Sequence, residues 1–161
     1  MGGDSSGIEP RRRAQLLTLA DFVPGVLGDR QDLARLSNPS GGSVTWTAGE
    51  YIGLAGATTN SFADPYDLEP YVPEAVAETL DRFTVSLGAA TGVNCQITLY
   101  KIDLAGVLTS LGLNLNVGGS GTFFQSVGDP RTLAAGERLV FTINQTITVP
   151  WVTICGFRSQ A

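Results

Sequence analysis

Histidine is absent from this chain of 161 residues, which removes the side chain most often used as a general base near neutral pH and as a metal ligand. Asp, Glu or Lys at a shifted pKa remain as acids and bases, but such a site needs groups that converge in space. Charge of either sign is scarce: Asp, Glu, Lys and Arg together make 16% of the residues, against a usual share of about 25%. The surface must therefore be covered by Gly, Ser, Thr, Asn and Gln, the profile of a β-rich protein. The formal net charge of −5 supplies no global basic field for nucleic acid. Cysteine occurs twice, at Cys95 and Cys155, too seldom for a disulfide framework or a thiolate zinc site. No apolar run approaches the ~18–20 residues of a spanning helix. The N-terminal "AQLLTLADFV" is broken by Asp21 and Pro24 and lacks the h-region of a signal peptide. The expectation is a protein that is soluble or built into a larger assembly.

What is present divides near residue 80. Ahead of it, Pro10, Pro24, Pro39, Pro65, Pro70 and Pro73 stand among Gly, Ser and Asp, a spacing that prevents long helices and fixes extended or turning backbone. Beyond it, strand patterns dominate. Phe83, Val85 and Leu87 alternate with Thr84 and Ser86; Cys95, Ile97 and Leu99 alternate with Gln96, Thr98 and Tyr100. Leu111, Leu113, Leu115 and Val117 repeat at a two-residue period, as do Leu139, Phe141 and Ile143, so each run predicts a strand with one buried face. "SGTFFQSVGDP" reads as a shorter strand closed by a Gly-Asp-Pro turn. "GSVTWTAGEYIGLAGATT" offers two short strands, Val44 to Trp46 and Tyr51 to Leu54, about the turn Ala48-Gly49. Brief helices are expected in "GDRQDLARLS", where Leu33 and Leu36 are three apart, and in "VPEAVAETLDR", with Pro73 and Glu74 in its first turn, the second being equally readable as an irregular lead into the strand at Phe83. Seven or eight short strands with regular turn signals predict an all-β fold, an antiparallel β-sandwich either of jelly-roll or of immunoglobulin-like type, of which the jelly roll is the reading taken. An extended, proline-rich N-terminal arm over 1–43 precedes the sandwich at 44–161.

The closing "PWVTICGFRSQA" places Trp151, Thr153, Cys155 and Phe157 on one face and Val152, Ile154 and Gly156 on the other. Two apolar faces imply cover on both sides, by the core within and by a neighbouring chain or the N-terminal segment without. Trp151, Val152 and Ile154 are accordingly candidate partner contacts. Few charges protect the sheet edges, which favours packing against identical chains. Arg11, Arg12 and Arg13 form a second candidate contact, a docking arm for an acidic protein surface, with a solvated tail as the bland alternative and nucleic acid disfavoured by the net charge.

No residue set names a reaction, and the chain is read as a non-enzyme without cofactor. "AAGERLVF" sets Glu137 beside Arg138, but no second acid or metal-ligand spacing accompanies them, so they read as a polar rim where the chain enters a strand. Asp64, Asp67 and Glu69 supply hard oxygens, yet without the Gly turn and terminal Glu of a calcium loop; an acidic surface loop packed down by Tyr66 and Tyr71 is the expectation, and no metal site is assigned. Serine has no histidine partner and no G-x-S-x-G context. "GGSG" leads into a β-run and not a helix, so no phosphate loop forms. Cys95 and Cys155 both read as inward-facing, leaving a disulfide or two free core thiols open. Trp46, Tyr51, Tyr66, Tyr71 and Tyr100 read as surface aromatics able to stack on sugar rings or to pack an interface.

From Leu80 onward the order of segments resembles a family of small jelly-roll domains in tailed-phage virion proteins, and is similar to trimeric heads of bacterial surface and spore-coat filaments. The likeness is carried by "FTVSLGAATGVNCQITLYK", by the Gly-bounded "VLTSLGLNLNVGGSGTFFQSVGDPRTLAAGERLVFTINQT" with its A-A-G-[DE]-x-[LIV] turn, and by "VPWVTICGF". It implies a virion structural protein, a capsid decoration or cement protein whose oligomeric jelly roll, of trimer type, is anchored by its N-terminal arm. Its partners would be itself and a major capsid or other virion protein, without membrane. The alternative is a receptor- or glycan-binding module at a phage fibre or tail tip.

Overall fold

The computed structural model describes residues 30–59, 68–73, 75–126 and 130–158. Twelve strands follow one another with no helix of α type among the described residues: β1 Arg30–Ser37, β2 Val44–Trp46, β3 Tyr51–Ile52, β4 Thr58–Thr59, β5 Glu78–Leu87, β6 Cys95–Ile102, β7 Leu108–Val117, β8 Phe123–Gln125, β9 Arg131–Leu133, β10 Arg138–Ile143, β11 Ile147–Val149 and β12 Trp151–Arg158. The first sheet runs β1-β12-β5-β8, with β9 also pairing β5; the second runs β4-β3-β10-β6-β7; β11 and β2 form a small third sheet. Every ladder is antiparallel. Counting only β1, β3, β5, β6, β7, β8, β10 and β12, the first sheet holds the first, eighth, third and sixth, and the second sheet the second, seventh, fourth and fifth. That winding of two Greek keys is a jelly roll.

The predicted alternation is what closes the sandwich. Phe83, Val85 and Leu87 of β5 and Val152 and Ile154 of β12 face Ile97 and Leu99 of β6, Leu113, Leu115 and Val117 of β7, and Leu139, Phe141 and Ile143 of β10 in one buried cluster. Each fully buried Leu, Ile, Val or Phe contributes roughly 1.5–3 kcal/mol of burial free energy. Trp46, expected on the surface, is fully buried in this cluster, and its indole N–H donates to the Glu50 carbonyl at 2.9 Å. An indole can be buried so completely because its polar tip is satisfied there.

The first helix expected from the sequence is strand β1, and the second segment takes its alternative form, an irregular lead into β5. In β1 the register against β12 slips between Asp32 and Ala34, so Leu33 is the additional residue of a β-bulge. A bulge resets the alternation, and Leu33 and Leu36, three apart, both become buried; the same spacing mimics a helical face. In "VPEAVAETLDR" the chain enters β5 at Glu78 and pairs there with both β9 and β12, so sheet pairing overrides the local preference. Because β1 lies in the first sheet beside β12, the sandwich already includes Arg30–Ser37, ahead of the boundary expected at residue 44.

The second sheet also buries part of its outer side. Leu68, Ile102 and Val140 form a second buried cluster, with Tyr51, Tyr100 and Leu108 packed against it. The Tyr51 and Tyr100 rings meet edge to face, with centroids 6.0 Å apart and planes at 79°. Leu54 and Ala55 donate backbone N–H groups to the carbonyls of Glu69 and Leu68. Gly53 makes this approach possible: a Cβ there would lie 2.4 Å from the Leu68 carbonyl oxygen.

Candidate functional site

The outer face of the first sheet holds the C-terminal residues expected to meet a partner. Cross-strand register places Arg35, Thr153, Ser86 and Phe123 in one row across β1, β12, β5 and β8. Trp151 stands one step along the same face, opposite Ser37, with its indole against Gly88. Phe123 is 60% exposed and Trp151 42%. Two strand spacings, about 10 Å, separate their columns, and Ser86 and Thr153 between them are small. No charged residue falls within Trp151–Cys155, Thr84–Leu87 or Phe123–Gln125. Two large aromatics over a neutral, low-relief surface have the composition of an interface core more than of a solvated one.

Val152 and Ile154, expected beside Trp151 as partner contacts, are instead buried in the chain's own core. Strand alternation forbids neighbours in sequence from sharing a face, so among these three Trp151 alone presents surface. Phe123 takes their place; it read merely as part of a short strand because its outward side follows only from pairing with Ser86. Arg11, Arg12 and Arg13 lie outside the described residues.

At the lower end of this face Cys155 points outward, away from Val152 and Ile154, which corrects the inward orientation expected of it. Its thiol donates to Asp32 Oδ1 at 3.3 Å and accepts from Arg30 Nε at 3.2 Å. Cys95 faces the core from β6, in the opposite sheet, and both cysteines are free. Burial pushes both thiols above their ordinary range, so they remain protonated at neutral pH. Arg82 lies 5.4 Å from the centre of the Phe157 ring and borders the face below.

Glu137 and Arg138 are not a paired acid and base. Gly136, at φ 83°, turns the chain, and one Glu137 oxygen then receives Lys101 Nζ at 2.8 Å while the other receives the Ala134 backbone N–H at 2.8 Å. The Lys101 hydrogen bond, together with that of Ala134, holds the Glu137 carboxyl below its usual range against the opposing effect of burial. This is a turn anchor at the rim of the sandwich, and Lys101 was the partner that sequence reading missed. Asp64, Asp67 and Tyr66 of the acidic loop lie outside the described residues. Among the described residues no three His, Cys, Asp or Glu side chains converge as a metal site would require.

Tyr71 donates its hydroxyl to Glu78, whose other oxygen meets Arg158 at 3.2 Å. Burial first and the bond to Glu78 second push the Tyr71 phenol up to about 12, so it serves as a fixed donor. With the Tyr51–Tyr100 pair consumed by the second cluster, none of the described aromatics expected to stack on sugars stands free on the surface.

No protein-family model matches the chain, and no curated protein matches it. Among solved structures the chain is similar to the globular domain of a zebrafish complement 1qA protein, at 9% identity and a TM-score of 0.42 over 79% of this chain and 96% of that one. It is also similar to a family 32 carbohydrate-binding module from C. perfringens NanJ, solved with galactose, at 9% identity and a TM-score of 0.36 over 77% and 99%. An infectious bursal disease virus structure, Gx strain, aligns at 10% identity and a TM-score of 0.26 over 83% of this chain and 35% of that one. The jelly-roll assignment stands on the strand order itself.

Proposed function

We propose that the chain is a structural protein of a phage virion, a capsid decoration or cement protein that associates with copies of itself through the outer face of its first sheet. The observation that carries this reading is the pair Trp151 and Phe123, both exposed on one face of the first sheet, where Trp151–Cys155, Thr84–Leu87 and Phe123–Gln125 carry no charge and Arg35 of β1 stands at the margin. Exposing two such side chains on one flat surface is costly in water and is offset by burial against a second copy. The resemblance of the segments from Leu80 onward to virion jelly rolls supports the setting, since these segments form β5 to β12 in jelly-roll order. A trimer is the assembly that the resemblance to virion jelly rolls implies. Arg11–Arg13 would dock the assembly on an acidic capsid surface.

Light scattering of the purified chain tests the first step and co-sedimentation with emptied phage capsids the second. The wild type should be trimeric, and Trp151→Asp combined with Phe123→Asp should be monomeric with an unchanged β spectrum. Replacing Arg11, Arg12 and Arg13 by Ala should weaken capsid binding without altering the trimer. A stable wild-type monomer that ignores capsids defeats the proposal.

A further inference from the structure

Asn144, Gln96 and Asn116 stand side by side across three neighbouring strand positions of the second sheet. Asn144, just beyond β10, donates its backbone N–H to the Gln96 carbonyl at 3.1 Å, and Gln96 of β6 is the register partner of Asn116 of β7. Asn94, ahead of β6, adjoins them. These four residues line a depression of about 510 Å³ together with Cys95, Val117 and Gly118. The volume lies within the ~300–1,000 Å³ of small-molecule sites.

The three asparagine oxygens are all committed within the protein. Asn144 Oδ1 accepts the Gln96 backbone N–H at 2.7 Å, Asn116 Oδ1 accepts Gln96 Nε2 at 2.9 Å, and Asn94 Oδ1 accepts the Gly119 backbone N–H at 2.8 Å. These bonds decide which way each carboxamide points. Each of the three asparagine carboxamides is thereby fixed through its oxygen, and the Nδ2 groups and Gln96 Oε1 take no part in these bonds, so side chains that line the depression are ordered before any ligand arrives, which lowers the ordering cost of binding.

We propose that this carboxamide row binds a neutral sugar. The proposal is independent of the self-association reading and uses the opposite sheet. Hydroxyl groups both accept and donate, so a vicinal pair on a pyranose ring can accept from Nδ2 groups and return a proton to Gln96 Oε1. No cationic side chain lines the depression, and the net charge of −5 repels anions. A cation would be drawn by carboxylates, and none lines the depression. An extended peptide would need acceptors for its alternate N–H groups, and Gln96 Oε1 is the single side-chain amide oxygen left open in the row. The row spans two strand spacings, about 10 Å, enough for a pyranose ring and the start of the next.

The test is ligand-observed NMR of the full chain with glucose, galactose, mannose, N-acetylglucosamine and their β-linked disaccharides, beside sialic acid and a neutral polar peptide. Asn116→Asp and Asn144→Asp retain the oxygen that accepts from Gln96 and exchange only the Nδ2 donor. At least one neutral sugar should bind, and each variant should weaken it about tenfold, the equivalent of one hydrogen bond. In the wild type the side-chain NH₂ resonances of Asn94, Asn116 and Asn144 should shift on adding that sugar, a reading that does not depend on how well the variants fold. Absence of binding by every neutral sugar, binding by both variants as tight as by the wild type, unmoved side-chain resonances, or a preference for sialic acid or the peptide would each overturn the proposal.

Discussion

On the first sheet the outward positions of β12, β5 and β8 carry Trp151, Thr153, Ser86 and Phe123, and none of the described segments folds over them. On the second sheet the outward positions of β10 and β6 carry Val140, Tyr100 and Ile102 at one end, roofed by Leu68, and Gln96 with its asparagine neighbours at the other. Both sheets share one core, so core packing does not account for the contrast. The difference lies in what each outer face is left to do. The second sheet supplies its own cover where it is apolar and is amide-rich where it is bare. The first sheet is bare where it is aromatic, and that combination asks for a cover from outside the chain.

The sharpest way to break this comparison is Ile102→Ala. If the roofed end of the second sheet is a true second core, the substitution should cost about 2–4 kcal/mol in denaturant unfolding, as for other buried Ile-to-Ala changes. Thr153→Ala, an outward position on the first sheet, should change stability by no more than about 0.5 kcal/mol. Equal losses at the two positions would mean that the roof contributes nothing and that the two faces are alike.

A smaller effect should come from the roof's hinge. Gly53→Ala places a methyl against the Leu68 carbonyl oxygen, a backbone atom, so the covering turn must shift. A loss of roughly 1–3 kcal/mol is expected from such overpacking, together with faster hydrogen exchange at the Leu54 and Ala55 amides, which bond to the roof. Unchanged exchange at those two amides would show that Gly53 is not what holds the roof down.

The sequence made most of the sandwich readable and least of what distinguishes its two faces. Alternation located β5, β6, β7 and β10 because each has one face in the core, and the jelly-roll class followed from their number and turns. It failed where a bulge broke the period, at Leu33, and where apolar residues took outward positions, at Val140 and Ile102, since a strand buried on both sides has no alternation to read. Trp46 misled because an aromatic in a short strand between turns gives no sign of which side it takes. The C-terminal contact was half legible: Trp151 was visible, but Phe123 joins it only through the pairing of β8 with β5. The carboxamide row was invisible, because Asn144, Gln96 and Asn116 come from three separate strand patterns in which each is merely the polar half of an alternation. A site assembled by register has no local motif.

The smallest effect belongs to the rim, where neither outer face is involved. Glu137→Gln keeps the shape of the side chain and removes the charge that Lys101 and the Ala134 N–H both address. Charge-assisted bonds at a nearly buried carboxylate suggest a loss on the order of 1 kcal/mol at neutral pH. Because the Glu137 carboxyl sits lower in the folded chain than the ~4.3 of an unfolded one, its contribution is fully present above that unfolded value. It is lost as pH falls through the lower, folded value. The gap between wild type and Glu137→Gln in urea unfolding should therefore stay constant from neutral pH to about pH 5 and close on further acidification. A gap that persists undiminished in strong acid would mean that the glutamine disturbs the Gly136 turn by its shape, and that the Lys101 bond is an ornament of the rim. A gap that closes would show that the charge anchors the turn from which β10 leaves, the strand whose Val140 and Phe141 serve the second core and the first.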